Sequence, residues 1–260
     1  MLQKRVNLFG LLVDDVDLGA ALSLAVDSLD GGKARAFFTP NLEMLSGAYK
    51  SEGIRKILNS ADVSLPDGFG LCLVARLVGV PLGNTATGID FGQGLLSVVA
   101  AQGRGVFLLG GKEGVAERAA ARLCEAYEGL KICGTHNGYF SDEESPSVCE
   151  RINLSGADVL IVCRGFPRQE KFVFAARDSL QEIKVFACLG GSLDVWAGDV
   201  ERAPLVIRKI RLEWLWRIMQ EPERLSRFVS SLDVLFKGTV LLFRRIIRFG
   251  GMNTRGAEYN

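Results

Sequence analysis

Histidine is almost missing from this 260-residue chain, His136 being the single copy. It has no partner at ligand spacing, so a zinc centre is not expected, and within GTHNGYF it reads as a loop or packing residue. The six cysteines (Cys72, Cys124, Cys133, Cys149, Cys163 and Cys188) form no C-x-x-C pair, and several fall in apolar runs. Buried free thiols in a reducing cytosol are the expectation. No long apolar core opens the chain at MLQKRVNLFG, so no signal peptide is read there. Near the other end, Asp233, Lys237 and Arg244–Arg245 interrupt any run of about 20 apolar residues, which excludes a spanning helix. Neither G-x-x-x-x-G-K-[ST] nor G-x-G-x-x-G occurs, so the ATPase and dinucleotide-oxidoreductase readings lose support. Internal repeats and low-complexity linkers are also absent.

What is present is an ordinary globular composition, long enough for one large domain with an appendage. The net charge of +1 conceals an asymmetry. Between Val206 and Phe249 stand Arg208, Lys209, Arg211, Arg217, Arg224, Arg227, Lys237, Arg244, Arg245 and Arg248, against Glu213, Glu221, Glu223 and Asp233. The C-terminal fifth is basic and the remainder slightly acidic.

Short β-branched or aromatic runs near 5–9, 34–38, 62–65, 105–109, 130–134, 157–163 and 184–189 read as strands. Amphipathic segments near 17–30, 42–59, 69–79, 89–102, 113–128, 143–154 and 168–182 read as helices. In the segment at 113–129, Val115, Ala119, Leu123 and Tyr127 recur every fourth residue, which is helical spacing. The alternation predicts an α/β fold: a Rossmann-like, mostly parallel sheet with helices on both faces, over residues 1–204. After Pro204 the strands stop. Residues 205–219 read as one helix and 223–249 as another, a basic amphipathic appendage at 205–249, followed by a disordered tail at 250–260. Phe228, Leu232, Leu235, Val240, Phe243, Ile246 and Ile247 share a stripe opposite Lys237, Arg244, Arg245 and Arg248.

FFTPNLEML at 37–45 and SLPDGFG at 64–70 each pass from strand end through a polar turn into a helix. Their turns belong at the mouth of a parallel sheet, where open α/β folds bind ligands. Thr39, Asn41 and Asp67 would meet there, with Asp67 the one proton acceptor; Pro-Asp-Gly is equally a common turn. In VFLLGGKEGVAE, Gly110 and Gly111 either cradle a diphosphate at a helix N-terminus or form a plain tight turn. Gln169 and Glu170 of FPRQEKF either bind sugar or nucleotide, or place a favourable carboxylate in a first helical turn. In GGSLDVWAGDVERAP, Asp194 could hold a base or hydroxyl and Arg202 a phosphate. The basic C-terminal helices admit a solvated face or a nucleic-acid surface, for which no binding motif is present. A helix lying in a membrane surface fits their pattern best.

Taken in order, TPNLEML, ADVSLPDGFG, FLLGG, GYF, PRQE, GGSLDVWAGDVERAP and LEWLWRIMQEPERLSRF resemble the WecG/TagA/CpsF glycosyltransferases, glycosyltransferase family 26, from about Asn7 to about Phe228. The resemblance implies an inverting, metal-independent enzyme with no cofactor. It would move a sugar, N-acetylmannosamine first among the candidates, from a UDP-sugar to an undecaprenyl-diphosphate-linked GlcNAc acceptor. The work would be done at the cytoplasmic membrane face, in wall teichoic acid or other surface-polysaccharide synthesis. A Rossmann-like core, a C-terminal appendage that completes the site, and self-association are also implied.

Carried over by position, the resemblance makes Asp67 the base, Thr39 an active-site threonine, Asn41 its neighbour and Gln169 a donor contact. Arg217, Arg224 and Arg227 become the arginines for the lipid diphosphate. Inverting transfer needs a carboxylate to deprotonate the acceptor hydroxyl, and positive or dipolar groups for the departing UDP. Two departures stand out. The loop PLGNTATGID (81–90) lacks the arginine usual in the family, and Arg164 precedes P-x-Q-E where the family has small or apolar residues. Another arginine such as Arg202 would substitute for the first, or donor-phosphate stabilisation differs, and Arg164 would meet an acidic sugar. UDP-glucose or a UDP-uronic acid is therefore an alternative donor, and a nucleotide-sugar-binding scaffold without turnover is the rival from another class.

Overall fold

The computed structural model describes residues 5–80, 82–83, 86–209 and 212–253, with the backbone alone at 209 and 243–253. The chain opens with an antiparallel hairpin, β1 (Arg5–Leu8) and β2 (Leu11–Asp14). Helix α1 (Leu18–Leu29) and strand β3 (Arg35–Phe38) follow. Next come α2 (Leu42–Lys50), α3 (Glu52–Leu58), β4 (Val63–Ser64), α4 (Phe69–Leu77) and α5 (Gly88–Gln102). The order continues β5 (Gly105–Gly110), α6 (Val115–Ala126), β6 (Lys131–His136), α7 (Ser145–Leu154) and β7 (Val159–Cys163). Then α8 (Arg168–Ala176), β8 (Val185–Cys188) and α9 (Ser192–Ala197) complete the α/β part. Helices α10 (Leu205–Lys209), α11 (Glu213–Gln220), α12 (Arg224–Ser230) and α13 (Leu232–Asn253) end it.

Six strands form one sheet in the order β4-β3-β8-β7-β5-β6, every neighbouring pair parallel. Side-chain alternation sorts the core into two layers. Ala36, Phe38, Phe107, Leu109, Leu160, Val162 and Phe186 point to the layer holding α2, α4, α7 and α8. Phe37, Val106, Leu108, Val159, Ile161 and Val185 point to the layer of α1, α5, α6 and α9, where Phe37 stacks on Phe91 at 4.9 Å. The α/β, mostly parallel expectation therefore holds, with both sheet faces covered.

The ends of β3 and β8 create the binding crevice. The two strands are neighbours, yet α2 leaves β3 on one face while α9 leaves β8 on the other. Divergence of that kind opens a gap at the carboxyl ends, the topological switch point of an open α/β sheet.

Several boundaries differ from the sequence reading for local reasons. Strand β2 was not expected; Phe9 and Gly10, at φ 52° and 95°, make a two-residue turn with both central residues left-handed, and Asn7 Oδ1 accepts the Gly10 N–H at 2.7 Å. The expected helix at 42–59 breaks at Ser51, which is extended (φ −132°, ψ 121°) and whose Oγ accepts from Ile54 N to start α3. The helix expected at 168–182 stops at Ala176 and tightens into a 3₁₀ turn at Arg177–Ser179. Helix α9, six residues closed by left-handed Gly198, is too short to show a period. The two predicted C-terminal helices are four.

Those last helices dock on the α2–α4 layer. Val234 is fully buried, Leu235 and Phe228 pack beside it, and Ser46 Oγ donates to Asp233 at 2.9 Å. Lys50 pairs with Asp233 at 3.1 Å. Lys237 is not on an open charged face: its Nζ donates to Tyr49 and lies 3.9 Å from the centre of that ring. The predicted apolar stripe divides accordingly, with Leu235 turned inward and Leu232 outward. Its Phe243, Ile246 and Ile247, the opposing Arg244, Arg245 and Arg248, and the tail beyond residue 253 lie outside the described side chains. Among the described residues no helix is long and apolar enough to cross a membrane.

Cys149, Cys163 and Cys188 are buried thiols, but Cys124 on α6 and Cys133 on edge strand β6 are exposed, against the burial expected of them.

Candidate active site

Backbone bonds stitch the first two polar turns together. Leu65 N–H donates to Phe38 O at 2.8 Å, and Asp67 N–H donates to Pro40 O at 2.9 Å, continuing the β3–β4 ladder past its last residues. Thr39, only 6% exposed, sends its Oγ1 hydrogen across the switch-point crevice to Cys188 O at 3.0 Å. Asn41 is the N-cap of α2: its side chain accepts the Met44 N–H at 3.1 Å. That bond fixes the Asn41 side-chain carbonyl group at the start of α2.

The first turn of α5 closes against this pair. Thr87 is its N-cap; Thr87 Oγ1 accepts from Asp90 N and donates to Asp90 Oδ2 at 2.6 Å. Gly88 then offers its free helix-terminal N–H to Asp67 Oδ2 at 3.3 Å. A methyl group on Gly88 would stand 3.1 Å from Thr39 Oγ1, so glycine permits the close approach.

Asp67 is partly accessible but recessed among protein atoms, and loss of hydration pushes its carboxyl up to about 7 from 3.8. The Gly88 N–H opposes that rise, Glu213 and Asp90 add to it, and Arg217 pulls the other way. Glu213 and Arg217 both come from α11, so the C-terminal helices supply charge to this carboxylate.

At the end of β8, Gly190 and Gly191 turn beneath two arginines. Arg217 Nη2 is 3.5 Å from Gly191 O, and a methyl on Gly191 would lie 3.2 Å from Arg224 Nη2 and 3.4 Å from Asp194 Oδ2. Glu221 holds both guanidiniums, Arg224 at 2.7 Å and Arg217 at 3.6 Å. Arg217 Nη1 is buried with no hydrogen-bond partner, and burial lowers the guanidinium's proton affinity. Burial likewise raises Asp194, with Glu221 adding to the rise and both arginines opposing it. Arg227, farther along α12, meets the field of Glu43 in the first turn of α2, which also feels Arg224.

Other predicted residues are engaged within the protein. Gln169 is 3% exposed; its Oε1 accepts the Gly190 N–H at 3.0 Å and its Nε2 donates to Glu170 at 2.7 Å. Glu170 is wholly buried with Oε2 unpartnered, and burial pushes it up to about 7. Both therefore brace the Gly190 turn from below. Gly111 N–H donates to Cys163 O at 3.1 Å, and a methyl on Gly110 would overlap that carbonyl, so this glycine pair serves close strand packing. Arg202 lies between α5 and α11, paired with Asp90 and 3.6 Å from Glu213. Arg164 donates to Gly138 O and Phe140 O, each at 2.9 Å, and stacks 3.5 Å over Phe140. Tied to that loop, it is not free for an acidic sugar. His136 Nδ1–H donates to Asn137 O at 2.8 Å, and the ring sits edge-on to Phe140, a packing role.

A groove of about 1390 Å³ runs between α7 and α8 along Tyr139, Arg164, Arg168 and Lys171, and Asp67 does not line it. Among the described residues no three His, Cys, Asp or Glu side chains are grouped to hold a metal ion.

Residues 6–248 match the sequence profile described as the glycosyl transferase WecG/TagA/CpsF family. The chain belongs to that family. A relative from Bacillus spizizenii strain W23, named N-acetylglucosaminyldiphosphoundecaprenol N-acetyl-beta-D-mannosaminyltransferase, is 33% identical over 202 residues, 78% of this chain and 77% of its own. A protein of the same name from Bacillus subtilis strain 168 is 33% identical over 192 residues, 74% of each chain. One from Staphylococcus aureus strain MRSA252 is 31% identical over 199 residues, 76% of this chain and 77% of its own.

For a WecG/TagA/CpsF chain, the charged residues passed over in the sequence are as telling as those expected. Glu43, Asp90, Glu213 and Glu221 each face a proposed site residue. Three of the four had readable signals. Thr87-x-x-Asp90 has capping-box spacing, and Glu213, Arg217 and Glu221 recur at four-residue intervals on one helix face. That Asp67 and Arg202 stand against Asp90 and Glu213 was not readable.

Proposed function

We propose that this protein is an inverting glycosyltransferase that moves N-acetylmannosamine from its UDP donor to a polyprenyl-diphosphate-linked N-acetylglucosamine. Membership of the WecG/TagA/CpsF family and the printed name of three relatives support the substrate pair. The observation that carries the reading is a recessed carboxylate, Asp67, at the crevice of a parallel sheet and in the field of Arg217, which stands with Arg224 of the docked C-terminal helices over the Gly190–Gly191 turn.

In this scheme the acceptor hydroxyl gives its proton to Asp67 as its oxygen bonds to the anomeric carbon, and the bond to UDP breaks on the opposite side. A base with its proton affinity near neutral pH suits such a transfer. Thr39 and Asn41 orient sugar hydroxyls, and the Gly190–Gly191 turn, braced by Gln169 and Glu170, shapes the donor pocket. Arg217 and Arg224, with Arg227 behind them, neutralise diphosphate charge; Nη1 of Arg217, 3.6 Å from Glu221 and without a hydrogen bond, has a donor to offer an anionic ligand. No metal or cofactor enters the scheme.

The protein would work as a peripheral enzyme on the cytoplasmic membrane face. Leu225, Val229, Leu232 and Phe236 are 40–72% exposed and lie along one side of α12 and the start of α13. Such an apolar stripe beside a diphosphate site suits a lipid-linked acceptor, and self-association would cover it in the absence of lipid. The test is UDP release from a panel of UDP-sugars with a short-chain prenyl-diphosphate-GlcNAc acceptor. Acceptor-dependent turnover with UDP-N-acetylmannosamine is expected. Turnover with UDP-glucose or a UDP-uronic acid alone would replace the donor, and UDP binding without turnover on any acceptor would favour the scaffold reading.

A further inference from the structure

Arg202 occupies an unusual position for a residue expected to meet phosphate. Its side chain is 17% exposed and held by protein groups: Nη2 pairs with Asp90 and Nη1 donates to Gln93 Oε1 at 3.0 Å, while Nε makes no hydrogen bond and faces Glu213 at 3.6 Å. Asp90 and Gln93 are one helical turn of α5, and Glu213 begins α11. The planar guanidinium fork thus bridges two elements far apart in sequence, a geometry a lysine could not reproduce. The α5 turn it grips is the one that delivers Gly88 N–H to Asp67 and packs Gly88 on Thr39. Both residues proposed to do the chemistry therefore rest on a turn whose other side is clamped to the C-terminal helices.

We propose that Arg202 is a positioning residue: by clamping the first turn of α5 to α11, it makes the working geometry of Asp67 and Thr39 depend on docking of the C-terminal helical layer. The proposal rests on the glycosyltransferase reading above. Its consequence is coupling between acceptor and base. Helix α11 also carries Arg217, so an acceptor diphosphate drawn to Arg217 acts on the element that Arg202 links to the base. The charged groups around Asp67 are Asp90 from α5 and Glu213 and Arg217 from α11, with Arg202 between the two helices. Removing the Glu213 charge should let Asp67 ionise at lower pH, because one of the two acidic neighbours opposing ionisation is gone.

The test compares R202M, R202K and E213Q with the unaltered chain in kcat, KM for each substrate, UDP affinity, melting temperature and the pH profile of kcat/KM. Asp67 is titrated in parallel by carboxyl ¹³C NMR, assigned with D67N. R202M is expected to lower kcat by about tenfold to a hundredfold, as misplacement of a reacting group does, with UDP affinity within about twofold. R202K is expected to recover only part of that loss. E213Q is expected to move the acid limb and the Asp67 titration to lower pH together. A weakened UDP affinity with unchanged kcat in R202M would overturn the proposal and make Arg202 a phosphate ligand. An unmoved Asp67 titration in E213Q would also overturn it. If the unaltered chain turned over no donor, the glycosyltransferase reading would fail, and the NMR titration would still decide the clamp. Should R202M not fold, R202K and E213Q carry the same decision.

Discussion

Gly88 gives its backbone N–H to Asp67 at 3.3 Å, so the carboxylate proposed as base is held by the open end of α5 and, among the described residues, by no side-chain hydrogen bond. A single long hydrogen bond and the helix dipole favour the ionised form, yet lost hydration outweighs them and Asp67 is pushed up to about 7. Two predictions follow from that balance.

The first concerns rate. Transfer needs Asp67 ionised, so kcat/KM should climb through an acid limb centred near pH 7 and flatten above it. A stopped UDP-release assay across pH 5.5 to 9 (a range chosen to span about 1.5 units below and 2 above that limb) checks this. A limb near the ordinary aspartate value would mean that hydration reaches Asp67 freely. D67N should reduce transfer by about a hundredfold or more while UDP still binds.

The second concerns stability. Below about pH 4 the carboxyl is neutral in both folded and unfolded chains. Between there and about pH 7 the unfolded chain releases its proton while the folded one keeps it, so Asp67 makes the fold progressively less stable, and the loss levels off above. D67N removes this contribution. Its melting temperature relative to the unaltered chain should therefore be higher at pH 8 than at pH 5, and scanning calorimetry at both values reads the difference.

Gln169 is predicted to matter through the turn it braces. Q169A would strip a partner from the Gly190 N–H and from Glu170, both buried or nearly so, at a cost of about 1–3 kcal/mol for each group left unpaired. Urea unfolding should show that loss as a lower midpoint. A drop in UDP affinity with unchanged stability would instead make Gln169 a direct ligand contact.

The exposed stripe predicts membrane attachment. Replacing Leu225, Val229 and Phe236 by serine should leave the melting temperature nearly unchanged, since each is at least half exposed, and should reduce sedimentation with vesicles of phosphatidylglycerol and phosphatidylethanolamine. Equal sedimentation of the triple variant would place the contact on another surface.

Alternation of short apolar runs with helical periods was enough to determine the class of fold, because strand and helix periods are local properties of the chain. The turns carrying Thr39 and Asp67 were legible for the same reason: a strand end, a polar turn and a cap lie within a few residues of one another. The hairpin at Phe9–Gly10 was not legible, since neither residue pair nor strand length carries the usual signal and only pairing with β2 reveals it.

Tertiary structure alone decided what the polar side chains do. Arg202, Gln169 and Arg164 looked like ligand contacts because sequence gives a residue's chemistry without its neighbours. Folding brought Asp90, Gly190 and the Phe140 loop against them. The pairing of Glu213 and Arg217 with Asp67 spans about 150 residues of chain and depends on how α11 docks on the sheet mouth, a relation no local pattern encodes. Local periodicity selected the elements; burial and long-range charge determined which of their residues face a substrate and which hold the protein together.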